Sequence, residues 1–154
     1  VHVDGRVLGQ HPGIVHFTVG QRRGINVGSP EPLYVVKLDA MRKQVVVGPR
    51  AALLTQRMTL ADMNWLGEMP LPEAARDGLP VYVRVRSTRA PQPATIFTHD
   101  GKIEVEITGG EEGVAPGQAC VVYENADPRA RVLGGGIIRT TMPMKLPAPL
   151  EAAE

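Results

Sequence analysis

Ala94-Thr95-Ile96-Phe97-Thr98-His99-Asp100-Gly101-Lys102-Ile103-Glu104-Val105-Glu106-Ile107-Thr108 is two β-rich runs joined by a tight-turn signal. Ile103, Val105 and Ile107 alternate with Lys102, Glu104 and Glu106. That two-residue period belongs to a strand with one apolar and one polar face. His99-Asp100-Gly101-Lys102 supplies the turn, because Asp-Gly tolerates the positive φ that tight hairpins need. Val81, Val83 and Val85 alternate with Tyr82, Arg84 and Arg86 in the same way. Working outward, six strands are expected at residues 58–66, 81–89, 94–99, 102–108, 119–124 and 131–140. Six short antiparallel strands predict a closed or nearly closed barrel, since closure removes exposed edges. The expected class is all-β: a small hairpin-rich module at residues 1–57, then a six-stranded β-barrel at 58–140.

The first module reads as hairpins. Residues 1–8 turn at Asp4-Gly5, and the β-rich runs 33–39 and 44–48 flank Ala40-Met41-Arg42-Lys43. Gly48-Pro49 ends the second hairpin, and one short helical turn is expected within 49–56. Residues 14–19 are open between a strand and a helical turn, because the apolar run is too short to show a period. Residues 67–80, with three prolines and two glycines, read as a loop. The proline-rich tail 141–154 is expected to be disordered.

The chain has 154 residues, 43% hydrophobic but only 4% aromatic, so its core must rely on Val, Ile, Leu and Met. One Cys excludes an internal disulfide framework and fits a reducing compartment. No secretory signal pattern and no run long enough to span a bilayer is present. The net charge of +1 conceals an asymmetry: residues 1–58 hold eight Lys/Arg against Asp4, Glu31 and Asp39. A basic first half is the electrostatic footprint expected for a polyanion partner, although charge alone does not demand nucleic acid.

Gly20-Gln21-Arg22-Arg23-Gly24 concentrates that charge. Arginine forks suit phosphate oxygens, and flanking glycines let the backbone approach a ligand; a surface turn with solvated arginines is the plainer alternative. Arg84 and Arg86, with Arg89 just beyond, either track a phosphate backbone or pair across strands with Glu104 and Glu106. His11 either orders the loop leading to residues 20–24 or contacts RNA. The four histidines lack the convergent ligand set of a metal site, so no metal is expected. Cys120 lies in an apolar strand pattern and reads as a small core residue. Gly134-Gly135-Gly136 reads as a bulge or close-packing site in the last strand, and Trp65 as a barrel Trp rather than a base-stacking platform.

The run from His11 to Gly24, with Asp4-Gly5 before it, resembles the C-terminal part of bacterial tRNA-specific 2-thiouridylases. Pro32-Leu33-Tyr34-Val35-Val36, Asp62-Met63-Asn64-Trp65, Ala115-Pro116-Gly117-Gln118 and Leu133-Gly134-Gly135-Gly136-Ile137-Ile138 follow in the family's order. The resemblance implies a central domain followed by a barrel similar to domain 2 of elongation factors. It implies a parent enzyme that uses ATP with Mg to 2-thiolate the wobble uridine of tRNA, supplied by a sulfur-relay protein or cysteine desulfurase. A cytoplasmic location, no membrane partner and tRNA contact at His11, Gln21, Arg22 and Arg23 are expected, and the resemblance adds Arg86 and Arg89. The family's Ser-Gly-Gly-Val-Asp-Ser loop and its two catalytic cysteines have no counterpart here. No catalytic residue or cofactor is therefore expected in this chain, which opens on Val1 and reads as a truncated piece. Two rivals stay open: an elongation-factor-like protein-interaction module without RNA contact, and a small-molecule-binding barrel.

Overall fold

The computed structural model describes residues 1–145. The chain divides into two compact units, Val1–Leu54 and Thr55–Met144.

In the first unit, β1 (Tyr34–Asp39) and β2 (Gln44–Gly48) form an antiparallel hairpin. Alternation buries Val35 from β1 with Val45 and Val47 from β2, and Leu33 joins them. Leu8, Ile14, Phe17, Ile25 and Val27 pack on this nucleus from irregular backbone. The open reading of residues 14–19 resolves to a 3-10 turn over Ile14–His16, and a second covers Arg50–Leu53. The turn at Asp4-Gly5 forms, with Gly5 at φ 95° and the His2 N–H donating to the Arg6 carbonyl (2.8 Å). It does not join two strands as expected. Instead His2 bridges in parallel to Val47, which donates to the Val1 carbonyl and accepts from Val3 N–H (both 2.8 Å). The β2 edge thus takes the hydrogen bonds that a local hairpin would have used, and Val7 beyond the turn is left 75% exposed.

The second unit is a closed barrel of β3 (Leu54–Trp65), β4 (Leu79–Arg84), β5 (Gln92–His99), β6 (Lys102–Glu112), β7 (Ala119–Tyr123) and β8 (Val132–Pro143), in the order β3-β6-β5-β4-β7-β8. The interior holds Met58, Leu60, Val81, Val83, Ile96, Val105, Ile107, Cys120, Val122 and Ile138, the inward set of each alternation. The segment expected to be a loop contains a single helical turn, α1 (Leu71–Ala74), whose Leu71 joins the barrel core together with Ala75 just beyond it.

Several strand ends differ from expectation; β6, for one, runs to Glu112 rather than 108. β3 begins at Leu54, and β8 continues through Thr141, Met142 and Pro143, because these residues pair with one another: Thr55 opposite Pro143 and Met58 opposite Thr141. Residues 141–143 are therefore strand rather than tail; residues 146–154 lie outside the described residues. β4 stops at Arg84, so Arg86 and Arg89 sit in a turn instead of on a strand, with Arg89 N–H donating to the Arg86 carbonyl (3.3 Å). The partner of Glu104 and Glu106 is also different. Arg57 on β3 reaches both, at 3.4 and 2.9 Å, because the barrel order sets β6 between β3 and β5, away from β4.

The β3–β8 seam explains the triple glycine. A Cβ on Gly134 would stand 2.3 Å from the Asn64 carbonyl oxygen, and one on Gly136 2.9 Å from that of Ala61. Trp65 at the end of β3 is half-buried against the core and donates its indole N–H to the Met69 carbonyl (2.9 Å). No helix among the described residues is long and apolar enough to cross a membrane.

Candidate nucleic-acid interface

The loop at residues 20–24 is fastened to the outer edge of β1. Gly20 N–H donates to the Val35 carbonyl (2.7 Å), and Val35 N–H donates to the Gln21 carbonyl (2.8 Å). Gly20 and Gly24 take φ of 92° and 81°, a region that costs a residue bearing a Cβ roughly 1–2 kcal/mol. Gln21 closes the loop from within: its Oε1 accepts from Thr18 N–H (3.0 Å) and its Nε2 donates to the Arg23 carbonyl (2.7 Å). The carboxamide is thus occupied inside the loop, and only Arg22 and Arg23 project from it. Both are exposed, and neither makes a hydrogen bond or ion pair with the described residues. Arg22 lines an open cavity of about 170 Å³ together with Ile25, Val27, Leu33 and the exposed Glu31.

His11 is held at the hairpin tip of the same unit. Its Nε2 lies 3.2 Å from the Lys43 carbonyl, an acceptor, so Nε2 carries the proton. The ring meets Phe17 edge-on at 5.6 Å, and the buried Nδ1 has no partner. His11 therefore ties the strand of chain leading to the arginine loop onto the β1–β2 hairpin.

Arg86 and Arg89 belong to the second unit and have intramolecular partners. Arg86 Nη1 donates to the Glu112 carbonyl (3.4 Å), and Arg89 pairs with the buried Glu111 carboxylate. Together they clamp the turn after β4 onto the end of β6. Arg84 donates to the Tyr123 hydroxyl (2.6 Å) with its guanidinium 5.2 Å from that ring's centre. Gln21, Arg22 and Arg23 share one loop of the first unit, His11 of the same unit is held at Lys43 on the hairpin tip, and Arg86 and Arg89 belong to the second unit.

Sequence reasoning passed over Arg42 and Lys43. It saw only a turn in Ala40-Met41-Arg42-Lys43, yet both cations are exposed at the hairpin tip. Lys43, a side-chain-bearing residue where a turn would favour glycine, was the available signal. The acids of this unit are mostly engaged. Arg6 N–H and its guanidinium hold the Asp4 carboxyl down at about 2, and Arg42 N–H lowers that of Asp39.

Burial pushes the Cys120 thiol up to about 12, which keeps it protonated and unreactive. Among the described residues no three His, Cys, Asp or Glu side chains converge as a metal site would require.

Comparison with known proteins gives the class first. Residues 1–49 match the tRNA methyl transferase PRC-barrel domain, and residues 55–138 match the aminomethyltransferase beta-barrel domain. The gap between the matches contains the division between the two units after Leu54. Similar proteins then give the family. The tRNA-specific 2-thiouridylase MnmA of Rhodopseudomonas palustris strain CGA009 is 59% identical over 154 residues, all of this chain and 39% of the relative. That of Bradyrhizobium sp. strain ORS 278 is 58% identical over 142 residues, 92% of this chain and 36% of the relative. The chain belongs to the tRNA-specific 2-thiouridylase family and corresponds to its C-terminal region. It spans about 39% of the length of the first of these relatives.

Proposed function

We propose that this chain is the tRNA-holding C-terminal portion of an ATP-dependent tRNA-uridine 2-sulfurtransferase. In this reading the whole enzyme places sulfur on C2 of the wobble uridine. It uses ATP with Mg and takes sulfur from a relay protein or cysteine desulfurase, in the cytoplasm. Those steps need groups that this chain's residues do not fit, so the chain by itself carries out no thiolation. The observation that supports the role is the arginine loop: two adjacent guanidiniums, both without a partner among the described residues, on a backbone pinned to β1. A preorganised pair of cations binds phosphate without first paying to order the loop.

Within the proposed interface, Arg22 and Arg23 contact the tRNA backbone. Gln21 and His11 act on RNA through the loop they brace, and Arg86 and Arg89 through the turn they clamp. The test replaces Arg22 and Arg23 together with Ala and follows tRNA affinity of this chain by fluorescence anisotropy from low to high salt. Loss of two phosphate contacts lowers affinity and flattens the log–log salt slope by roughly one to two. An unchanged slope with unchanged circular dichroism refutes the site. ATP-dependent thiolation of tRNA by this chain alone refutes the division of labour.

A further inference from the structure

The β1–β2 hairpin tip is held more firmly than a solvent-exposed connection needs. Asp39 Oδ1 accepts from Arg42 N–H (3.0 Å), and His11 grips the Lys43 carbonyl (3.2 Å). Lys43 itself sits in the left-handed region at φ 54°. Glycine would occupy that position without steric cost, whereas a lysine there is strained. A strained cation on an over-determined backbone is a recurrent mark of a functional tip. Between Asp39 and this pair stands Met41, 96% exposed and the most exposed of the unit's large apolar side chains.

The tip is separate from the arginine loop. That loop is anchored at Val35, and β1 runs on to Asp39, roughly 13 Å further along an extended strand. The carboxylate nearest the tip, Asp39, is turned inward onto the Arg42 N–H, which leaves the guanidinium of Arg42 and the ammonium of Lys43 facing solvent. An apolar side chain flanked by cations, in a unit with a net excess of cations, suits a phosphate backbone beside an unstacked base or helix end, where apolar side chains wedge against base faces.

We propose that Met41, Arg42 and Lys43 form a second RNA contact, with the two cations on phosphates and Met41 packed against an exposed base. This rests on the reading of the chain as a tRNA-holding portion, and the experiment separates the two. tRNA affinity of this chain is measured against salt for three variants: Arg22→Ala with Arg23→Ala, Arg42→Ala with Lys43→Gly, and Met41→Ala. Glycine at 43 keeps the left-handed turn, so the hairpin folds. The Arg42/Lys43 variant flattens the salt slope by roughly one to two. Met41→Ala weakens binding about fivefold at every salt concentration, the effect of withdrawing roughly 40 Å² of apolar contact, and leaves the slope alone. If only the Arg22/Arg23 variant flattens the slope, the hairpin contact is wrong and the broader reading survives. If neither does, or the unsubstituted chain does not bind tRNA, the broader reading falls and takes this one with it. If the Arg42/Lys43 variant loses binding to phosphatidylserine vesicles and keeps its tRNA slope, the tip is a membrane contact and the proposal is overturned.

Discussion

Replacing Gly134 with Ala tests the account of the barrel's closing seam. A Gly→Ala change in a strand that tolerates it stabilises by about 0.4–1 kcal/mol, because the unfolded chain loses freedom. At Gly134 the sign reverses. The new Cβ would lie 2.3 Å from the Asn64 carbonyl oxygen and 3.2 Å from the Trp65 Cα, both backbone atoms. No rotamer relieves that contact; β3 and β8 must move apart where Trp65 pairs with Gly134. Overpacking against backbone in a closed sheet costs about 3 kcal/mol, which lowers the melting temperature of a unit this size by roughly 12–24 °C. Trp65 is the chain's one tryptophan, so its fluorescence reports unfolding of this unit at the seam itself. Gly109→Ala on β6 is the control: nothing lies within 4 Å of its would-be Cβ and its φ is ordinary, so its effect stays within about 0.5 kcal/mol. A Gly134→Ala chain that melts within about 2 °C of the parent would refute the seam.

Two further outcomes follow from the barrel's buried groups. Arg89→Ala destabilises more than Glu111→Gln by roughly 2 kcal/mol in urea unfolding, because Arg89 is 47% exposed and finds water when orphaned, whereas the Glu111 side chain, 3% exposed, does not. Equal losses would mean that the pair is not what holds the turn after β4. Cys120 stays silent to a thiol reagent at pH 8 until the barrel unfolds, since burial pushes its thiol from 9.0 to about 12. Folding therefore retains a proton that the unfolded chain releases, and the barrel loses stability as pH climbs from about 9 towards 12. Cys120→Ala removes that share of the alkaline decline, and an identical decline in the variant would disprove it.

The barrel was legible because alternation is a local property: Ile103, Val105 and Ile107 announce an inward face wherever their strand goes. What the pattern does not contain is where a strand stops or which strand lies beside it. Val85-Arg86 continues the alternation of β4, yet the chain turns off at Arg84, where Arg86 and Arg89 reach Glu111 and Glu112, more than twenty residues away. Glu104 and Glu106 look for a basic partner, but whether Arg57 or Arg84 supplies it depends on the order of strands around the barrel. The first unit was harder to read. Leu8, Ile14, Phe17, Ile25 and Val27 bury themselves from loops, and loops have no period to betray an inward face.

The same distinction governs the candidate interface. Net charge in residues 1–58 is weak evidence by itself, since eight cations against three acids would mean little if each were paired. The structure changes the weight of that count by showing where the carboxylates go. Asp4 closes on Arg6 and Asp39 caps the hairpin tip through Arg42 N–H, so neither neutralises Arg22, Arg23 or Lys43; the third acid, Glu31, is exposed and lines the same cavity as Arg22. The polar groups nearest those cations face inward for the same reason: Gln21 spends its carboxamide on Thr18 and Arg23, and His11 spends its Nε2 on Lys43. Inward-facing side chains thus shape the backbone, while Arg22, Arg23, Arg42 and Lys43 are exposed. Such a surface gains affinity from phosphates through counterion release and little from any single base. Discrimination among RNAs would then rest on shape and on the few apolar contacts, of which Met41 is the most exposed.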